Sequence, residues 1–231
     1  MASFITRLKR RFFLRYPALA PFSQCLFSQE GEDILLRHMI GMKRNGFYVD
    51  IGAHHPFRFS NTYLFYLRGW RGINVDPMPG SMQRFNEYRP GDINLECGVS
   101  DVEMDMTYHQ YSEPALNGFT LLEPDAKKKI NLTGSISIPT KRLSAIFEEH
   151  LPTGQQIDFM SVDVEGHDLN VLRSNDWSRY CPGYVLVEDR SLDLMDIRKS
   201  ETAQFMMNAG YSLACKTFLT CIYKRLDNTS P

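Results

Sequence analysis

Apolar side chains along this chain fall into short continuous runs separated by stretches with helical spacing. Phe47-Tyr48-Val49, Ile73-Asn74-Val75, Ile93-Asn94-Leu95, Ile157-Asp158-Phe159-Met160-Ser161-Val162 and Tyr184-Val185-Leu186-Val187 read as strands buried on both faces. Ahead of the first, Ile34, Leu35, His38, Met39 and Met42 recur at helical spacing. Ser28 is placed to cap that helix, with Glu30, Glu32 and Asp33 in its first turn and Asn45-Gly46 as its stop. Further helices are predicted over residues 60–69 and 79–89, around Leu143, Ile146 and Phe147, from residue 164 to 172, and over 203–207. Residues 102–140 give a weaker signal: two short strands at 104–108 and 136–138, with a long loop between them of the kind that serves function. Residues 212–223 close the chain as a hairpin-like pair. Strands alternating with helices, then strands alone, predict an α/β fold with an open, mostly parallel sheet and an antiparallel edge strand.

Composition supports an ordered core, because 43% of the 231 residues are hydrophobic and 23% charged. A net charge of −1 provides no global field for nucleic acid, and none is expected as a partner. Five widely spaced cysteines, without a C-x-x-C pair, read as reduced thiols of a cytoplasmic protein. No apolar stretch is long enough to span a membrane. The organisation expected is a single domain over residues 28–231 behind a basic N-terminal extension, residues 1–27. In residues 4–15, Arg7, Lys9, Arg10, Arg11 and Arg15 alternate with Phe4, Leu8, Phe12 and Leu14. That pattern suits an amphipathic helix, which would either rest on anionic membrane or a partner, or pack on the domain.

The chemistry gathers at strand ends. Four strands end in carboxylates, Asp50, Asp76, Asp163 and Glu188, which a parallel sheet would bring to one edge, where such sheets bind ligands. Each acid alone has a local alternative as a helix cap, the lesser reading, and for Asp76, followed by Pro77 at a first helical position, capping alone would suffice. As a set, Asp50 and Asp76, one strand–helix–strand unit apart, suit a nucleoside, with Asp76 on the ribose hydroxyls. The turn after Asp50 offers Gly52 alone, then Ala53, His54, His55 and Pro56, so neither G-x-G-x-x-G nor a P-loop is present to cradle phosphate. S-adenosylmethionine fits that combination, since it carries adenosine and a charged amino acid but no phosphate. Asp50 would face its ammonium group, and Gly52 would let the backbone pass close to its methionine portion.

These residues resemble the FkbM-type S-adenosylmethionine-dependent methyltransferases. The resemblance rests on Ser28 to Asp33, Val49-Asp50-Ile51-Gly52-Ala53, Ser60-Asn61-Thr62, Gly69-Trp70-Arg71-Gly72 and Val75-Asp76-Pro77. It continues through Asp158-Phe159, Val162-Asp163-Val164-Glu165-Gly166-His167 and Val187-Glu188, in the family's order over roughly residues 28–190. The family's D-x-G-A-N-x-G stands here as Asp50-x-Gly52-Ala53-His54-x-Pro56. The resemblance implies a class I methyltransferase (Rossmann-like) fold and O-methylation, commonly of a sugar hydroxyl in a glycan or natural product. It adds Gln29 and Asp33, ahead of the first strand, to a cofactor side made of Asp50, Gly52, Ala53, His54, Asp76, Pro77 and Ser100, the last in the exit loop of the third strand.

Methyl transfer to an alcohol requires alignment and removal of the hydroxyl proton. Asp163, Glu165 and His167 cluster after one strand, with Glu188 after the next, and His167 is the candidate base. The bland reading of His167 is a helix start. Asp163 and Glu188 would alternatively hold Mg²⁺, using the metal to acidify the hydroxyl, whereas adjacent His54 and His55 would point apart. Tyr108, His109, Tyr111 and Phe119 would make an aromatic platform for a sugar or an ordinary loop. Two other functions stay open: a nicotinamide-dependent oxidoreductase, and a non-catalytic domain that binds a glycan or partner. The acceptor's identity and the oligomeric state are not readable from the residues.

Overall fold

A computed structural model describes residues 24–122 and 130–226. The expected amphipathic segment at residues 4–15 lies outside the described residues. In chain order the elements are α1 (Glu32–Ile40), β1 (Phe47–Ile51), α2 (Tyr63–Tyr66), β2 (Arg71–Val75), α3 (Ser81–Tyr88), β3 (Ile93–Leu95), β4 (Gly98–Val99), β5 (Asp105–Tyr111) and β6 (Leu132–Lys141). They continue with α4 (Leu143–His150), β7 (Phe159–Val162), α5 (Asp168–Arg173), β8 (Tyr184–Glu188), α6 (Glu201–Asn208), β9 (Tyr211–Lys216) and β10 (Thr220–Arg225).

Seven strands form the central sheet in the order β3-β2-β1-β7-β8-β10-β9. Strands β3, β2, β1, β7 and β8 pair in parallel, and β10 runs antiparallel to both β8 and β9. The order reverses beside β1, so the crevice where ligands bind a doubly wound sheet opens at the carboxyl ends of β1 and β7. Period-two alternation divides β1 between two cores. Phe47, Val49 and Ile51 pack with Val162, Val187 and the inner sides of α4, α5 and α6, whereas Tyr48 packs on the other face with Leu36, Phe65, Trp70 and Phe159. A smaller sheet, β4-β6-β5, pairs β5 antiparallel with β6. The bridge between His109 and Gly118 folds the following segment back onto β5.

Several boundaries differ from the sequence expectation, for local reasons. The N-cap position of α1 is Gly31, φ 90°, and Ser28 supports the helix start from further back: its hydroxyl donates to the Asp33 carboxylate at 2.8 Å and accepts from the Gly31 and Asp33 amides at 3.1 and 3.4 Å. The helix expected over 60–69 is a single turn, since Ser60 and Thr62 are engaged in a buried polar network and Gly69, φ 91°, ends it. The helix expected from residue 164 starts at Asp168, delayed by a turn in which Glu165 and Gly166 have φ of 54° and 86°. The third strand divides into β3 and β4, which join different sheets. Residues 102–140 hold two long strands where short ones are expected. Their outward positions, such as Thr107 and Ser137, are polar, so only half of each strand carries the apolar signal.

Candidate functional site

A cleft with about 480 Å³ of space, part of it open to solvent, lies at the carboxyl ends of β1, β2 and β7. Its floor includes Ile51, Gly52, Val75, Asp76 and Asp163, and Tyr108, Gly118 and Phe119 from the β5 side form its roof. Tyr108 and Phe119 meet edge to face at 5.2 Å, so this part of the expected aromatic platform covers the cleft, while Tyr111 is buried and His109 contacts Ser135.

Gly52 makes the cleft possible. A Cβ at this position would sit 1.8 Å from the Asp163 carbonyl oxygen, and its φ is 82°. Only glycine lets the exits of β1 and β7 approach this closely. Beyond it, His54 holds φ 49°, a region uncommon for a residue with a side chain. Its amide donates to Asp76 Oδ2 at 2.9 Å, and the Met78 amide donates to Asp76 Oδ1 at 2.9 Å. Asp76 therefore ties two loops together while lining the cleft. Burial raises its pKa, against the two amide hydrogen bonds that favour the charged form.

The other expected cofactor residues divide. Pro77 and His54 line the cleft with Gly52 and Asp76. Ala53 is buried against Met82 and Phe85 of α3. Asp50 is not among the lining residues: it lies on the Tyr48 face of β1, only 6% exposed, and accepts a 2.6 Å hydrogen bond from the Thr62 hydroxyl. Alternation along the strand turns it away from Ile51. Asp33 is buried and accepts from the Phe27 amide and the Ser28 hydroxyl, both at 2.8 Å, and Gln29 is exposed beside it. Neither lines the cleft. Ser100 is fully buried and meets His167 Nε2 at 2.9 Å.

That contact also locates His167. It is buried, 5.6 Å from the Phe119 ring, and absent from the cleft wall; burial lowers its pKa. His55 is likewise engaged, its Nε2 3.0 Å from Arg84 Nη1, and burial and then Arg84 pull its pKa down to about 4. His54 Nε2 lies 3.2 Å from Arg58 Nη1, which also donates to Glu113 at 3.0 Å. The two imidazoles serve different arginines and do not converge, their rings being 6.2 Å apart.

Asp163, Glu165 and Glu188 do converge, with carboxylate oxygens within 4.8 Å of one another. Arg190 pairs with Glu188 at 2.8 Å and with Glu165 at 3.3 Å. Asp163 has its pKa pushed well above the usual carboxylate range by the surrounding protein and by Glu188, Asp168 and Glu165, with Arg190 opposing. Its side chain reaches solvent, so the crowding of like charges is the cause that persists in water. Asp168 holds the turn that presents Glu165, its two oxygens accepting from the amides of Val164 and Gly166 at 3.1 Å each. An all-oxygen set of this kind suits Mg²⁺ by donor chemistry.

The residues that sequence reasoning missed are Arg89, buried behind the β1 turn, and Arg190. Arg89 follows α3 with no pattern around it to mark burial. Arg190 had a signal, two positions after the Glu188 strand end.

The Methyltransferase FkbM domain model matches residues 50–213. Among solved structures, a methyltransferase FkbM from Methylobacillus flagellatus KT is similar, with a TM-score of 0.50 and 15% identity over 86% of this chain and 48% of that one. This chain thus spans about half the length of that relative, and the likeness concerns the fold. A TehB-like SAM-dependent methyltransferase from Corynebacterium glutamicum ATCC 13032 Kitasato aligns over 95% of this chain and 99% of its own, with a TM-score of 0.42 and 11% identity. No curated protein matches the sequence.

Proposed function

The chain belongs to the FkbM methyltransferase family, and from that premise we propose that it moves the methyl group of S-adenosylmethionine to a hydroxyl, with a sugar of a glycan or natural product as acceptor. The observation that carries this reading is the exit of β1. Gly52 leads into ten residues of loop before the single turn of α2, so no helix N-terminus stands there to receive a pyrophosphate. The same edge nevertheless offers Asp76 for two ribose hydroxyls and apolar walls at Val75, Pro77, Val99 and Phe119 for an adenine. That combination fits a sulfonium nucleoside better than NAD.

The bound cofactor supplies an electrophilic methyl group, and the chain supplies position and a proton acceptor. Asp76 anchors the ribose and Gly52 admits the methionine portion. Asp163, whose raised pKa favours holding a proton, takes the hydroxyl proton, while Arg190 fixes Glu165 and Glu188 to receive the acceptor's other hydroxyls. His167, held by Ser100 behind Phe119, orients the roof in this scheme. General-base removal typically costs 10²–10⁴-fold, so Asp163→Asn is expected to lower turnover about 100-fold or more while cofactor affinity stays within a few-fold. Turnover near wild type would remove Asp163 from this role.

The Asp163–Glu165–Glu188 spacing supports a second reading in which the three carboxylates would hold Mg²⁺, which would supply a Lewis acid for the acceptor hydroxyl. Retention of full activity in EDTA would end it. Five free thiols support a reducing, cytoplasmic setting. Among the described residues, no helix is long and apolar enough to cross a membrane. Membrane or partner contact through residues 4–15 is proposed on sequence alone.

A further inference from the structure

We infer that Asp50, Thr62 and Arg89 are positioning residues that hold the turn after β1 from behind, and that Asp50 is not a ligand of the cofactor. The inference rests on the cofactor reading above. Arg89 is fully buried. Its Nη1 donates to Thr62 Oγ1 at 2.8 Å and to Asn74 Oδ1 at 3.2 Å. Its Nη2 donates to Ser60 Oγ at 2.7 Å and to the carbonyl of Pro56. The Thr62 hydroxyl then donates to Asp50 Oδ2 at 2.6 Å.

A buried guanidinium without a counter-charge is costly, and here the charge is answered by Asp50 through one hydroxyl and by Asp92 at 4.0 Å. Lysine carries its three N–H donors on one nitrogen and would not span these partners, whereas the planar fork of arginine reaches Thr62 through Nη1 and Pro56 through Nη2. The turn it grips is the one in which His54 holds φ 49°. Such a conformation persists only where the surroundings over-determine it. Asp76 fixes the turn from the cleft side through the His54 amide, and Arg89 fixes it from the core side through the Pro56 carbonyl. Neither Asp50 nor Thr62 nor Arg89 lines the cleft, so their effect reaches the ligand only through the placement of Gly52 and His54.

The test uses the full chain with Asp50→Asn, Thr62→Val, the double variant, and Arg89→Lys as a charge-retaining alternative should Thr62→Val fail to fold. Two readouts are taken: S-adenosylmethionine affinity with kcat at saturating cofactor, and hydrogen exchange of the backbone amides of residues 53–60. Each single variant is expected to weaken the cofactor about tenfold, equivalent to about 1.4 kcal/mol, with the loss falling on affinity rather than kcat. The double variant should be no weaker than the worse single, because both break one chain of contacts. Thr62→Ser should restore affinity, and amide exchange in the turn should rise in every variant but that one. Loss of affinity in Asp50→Asn with wild-type affinity in Thr62→Val would overturn the inference in favour of direct contact. Unchanged exchange in the turn would overturn it as well. A wild-type chain that binds no S-adenosylmethionine would sink the cofactor reading, while the exchange measurement would still decide the network.

Discussion

Asp168 illustrates how much one buried carboxylate governs here. Burial, with a further push from Glu188, raises its pKa from 3.8 to about 7, although two backbone amides favour its charged form. A raised folded-state pKa means that the folded protein binds this proton more tightly than the unfolded chain does. The stabilisation is therefore present at low pH and is lost as pH rises from about 4 through about 7. Urea unfolding at pH 5 and pH 7.5 should show the wild type losing stability relative to Asp168→Asn as pH rises. An equal difference at both values would contradict this assignment. Asp50 carries a related lesson: its type and its place at a strand end were plain in the sequence, but its partners were not. The alternation of Val49, Asp50 and Ile51 would have shown that Asp50 faces away from its neighbours; what it faces depended on Arg89, more than a helix away.

Among elements, the meeting of the β1 and β7 exits is the part with least tolerance. Gly52→Ala forces a methyl group into the Asp163 carbonyl and holds a side chain at φ 82°, where the left-handed conformation alone costs about 1–2 kcal/mol. Thermal denaturation should show a clear drop in the midpoint of Gly52→Ala, together with weakened cofactor binding; a wild-type midpoint would show that the two exits are free to part. The strands β1 and β8 were legible because both faces are buried and each opens on an apolar run, Phe47–Val49 and Tyr184–Val187, that ends in an acid. β5 and β6 were only half legible, since one face of each is polar, and their pairing follows from contacts up to the length of the hairpin. The Glu165-Gly166 turn was unreadable as a helix delay because Glu165, not a glycine, leads it into positive φ.

At the scale of the whole molecule, the strand order β3-β2-β1-β7-β8-β10-β9 gathers acids from four separated stretches to one edge. The sequence indicated that gathering through the repeated strand–acid pattern. It did not indicate that the acids would divide into three settings: Asp76 in the cleft, Asp163 with Glu188 beside Arg190, and Asp50 behind the sheet with Arg89. In the proposed reaction that division would put the cofactor at Asp76 and the acceptor at Asp163, and everything proposed for the reaction depends on the first of them. Calorimetry of the wild type and Asp76→Ala against S-adenosylmethionine and against NAD tests it most directly. The wild type should bind S-adenosylmethionine and not NAD, and loss of charged hydrogen bonds to the ribose should weaken Asp76→Ala by about tenfold or more. NAD binding by the wild type, or equal S-adenosylmethionine affinity in the two proteins, would contradict the account.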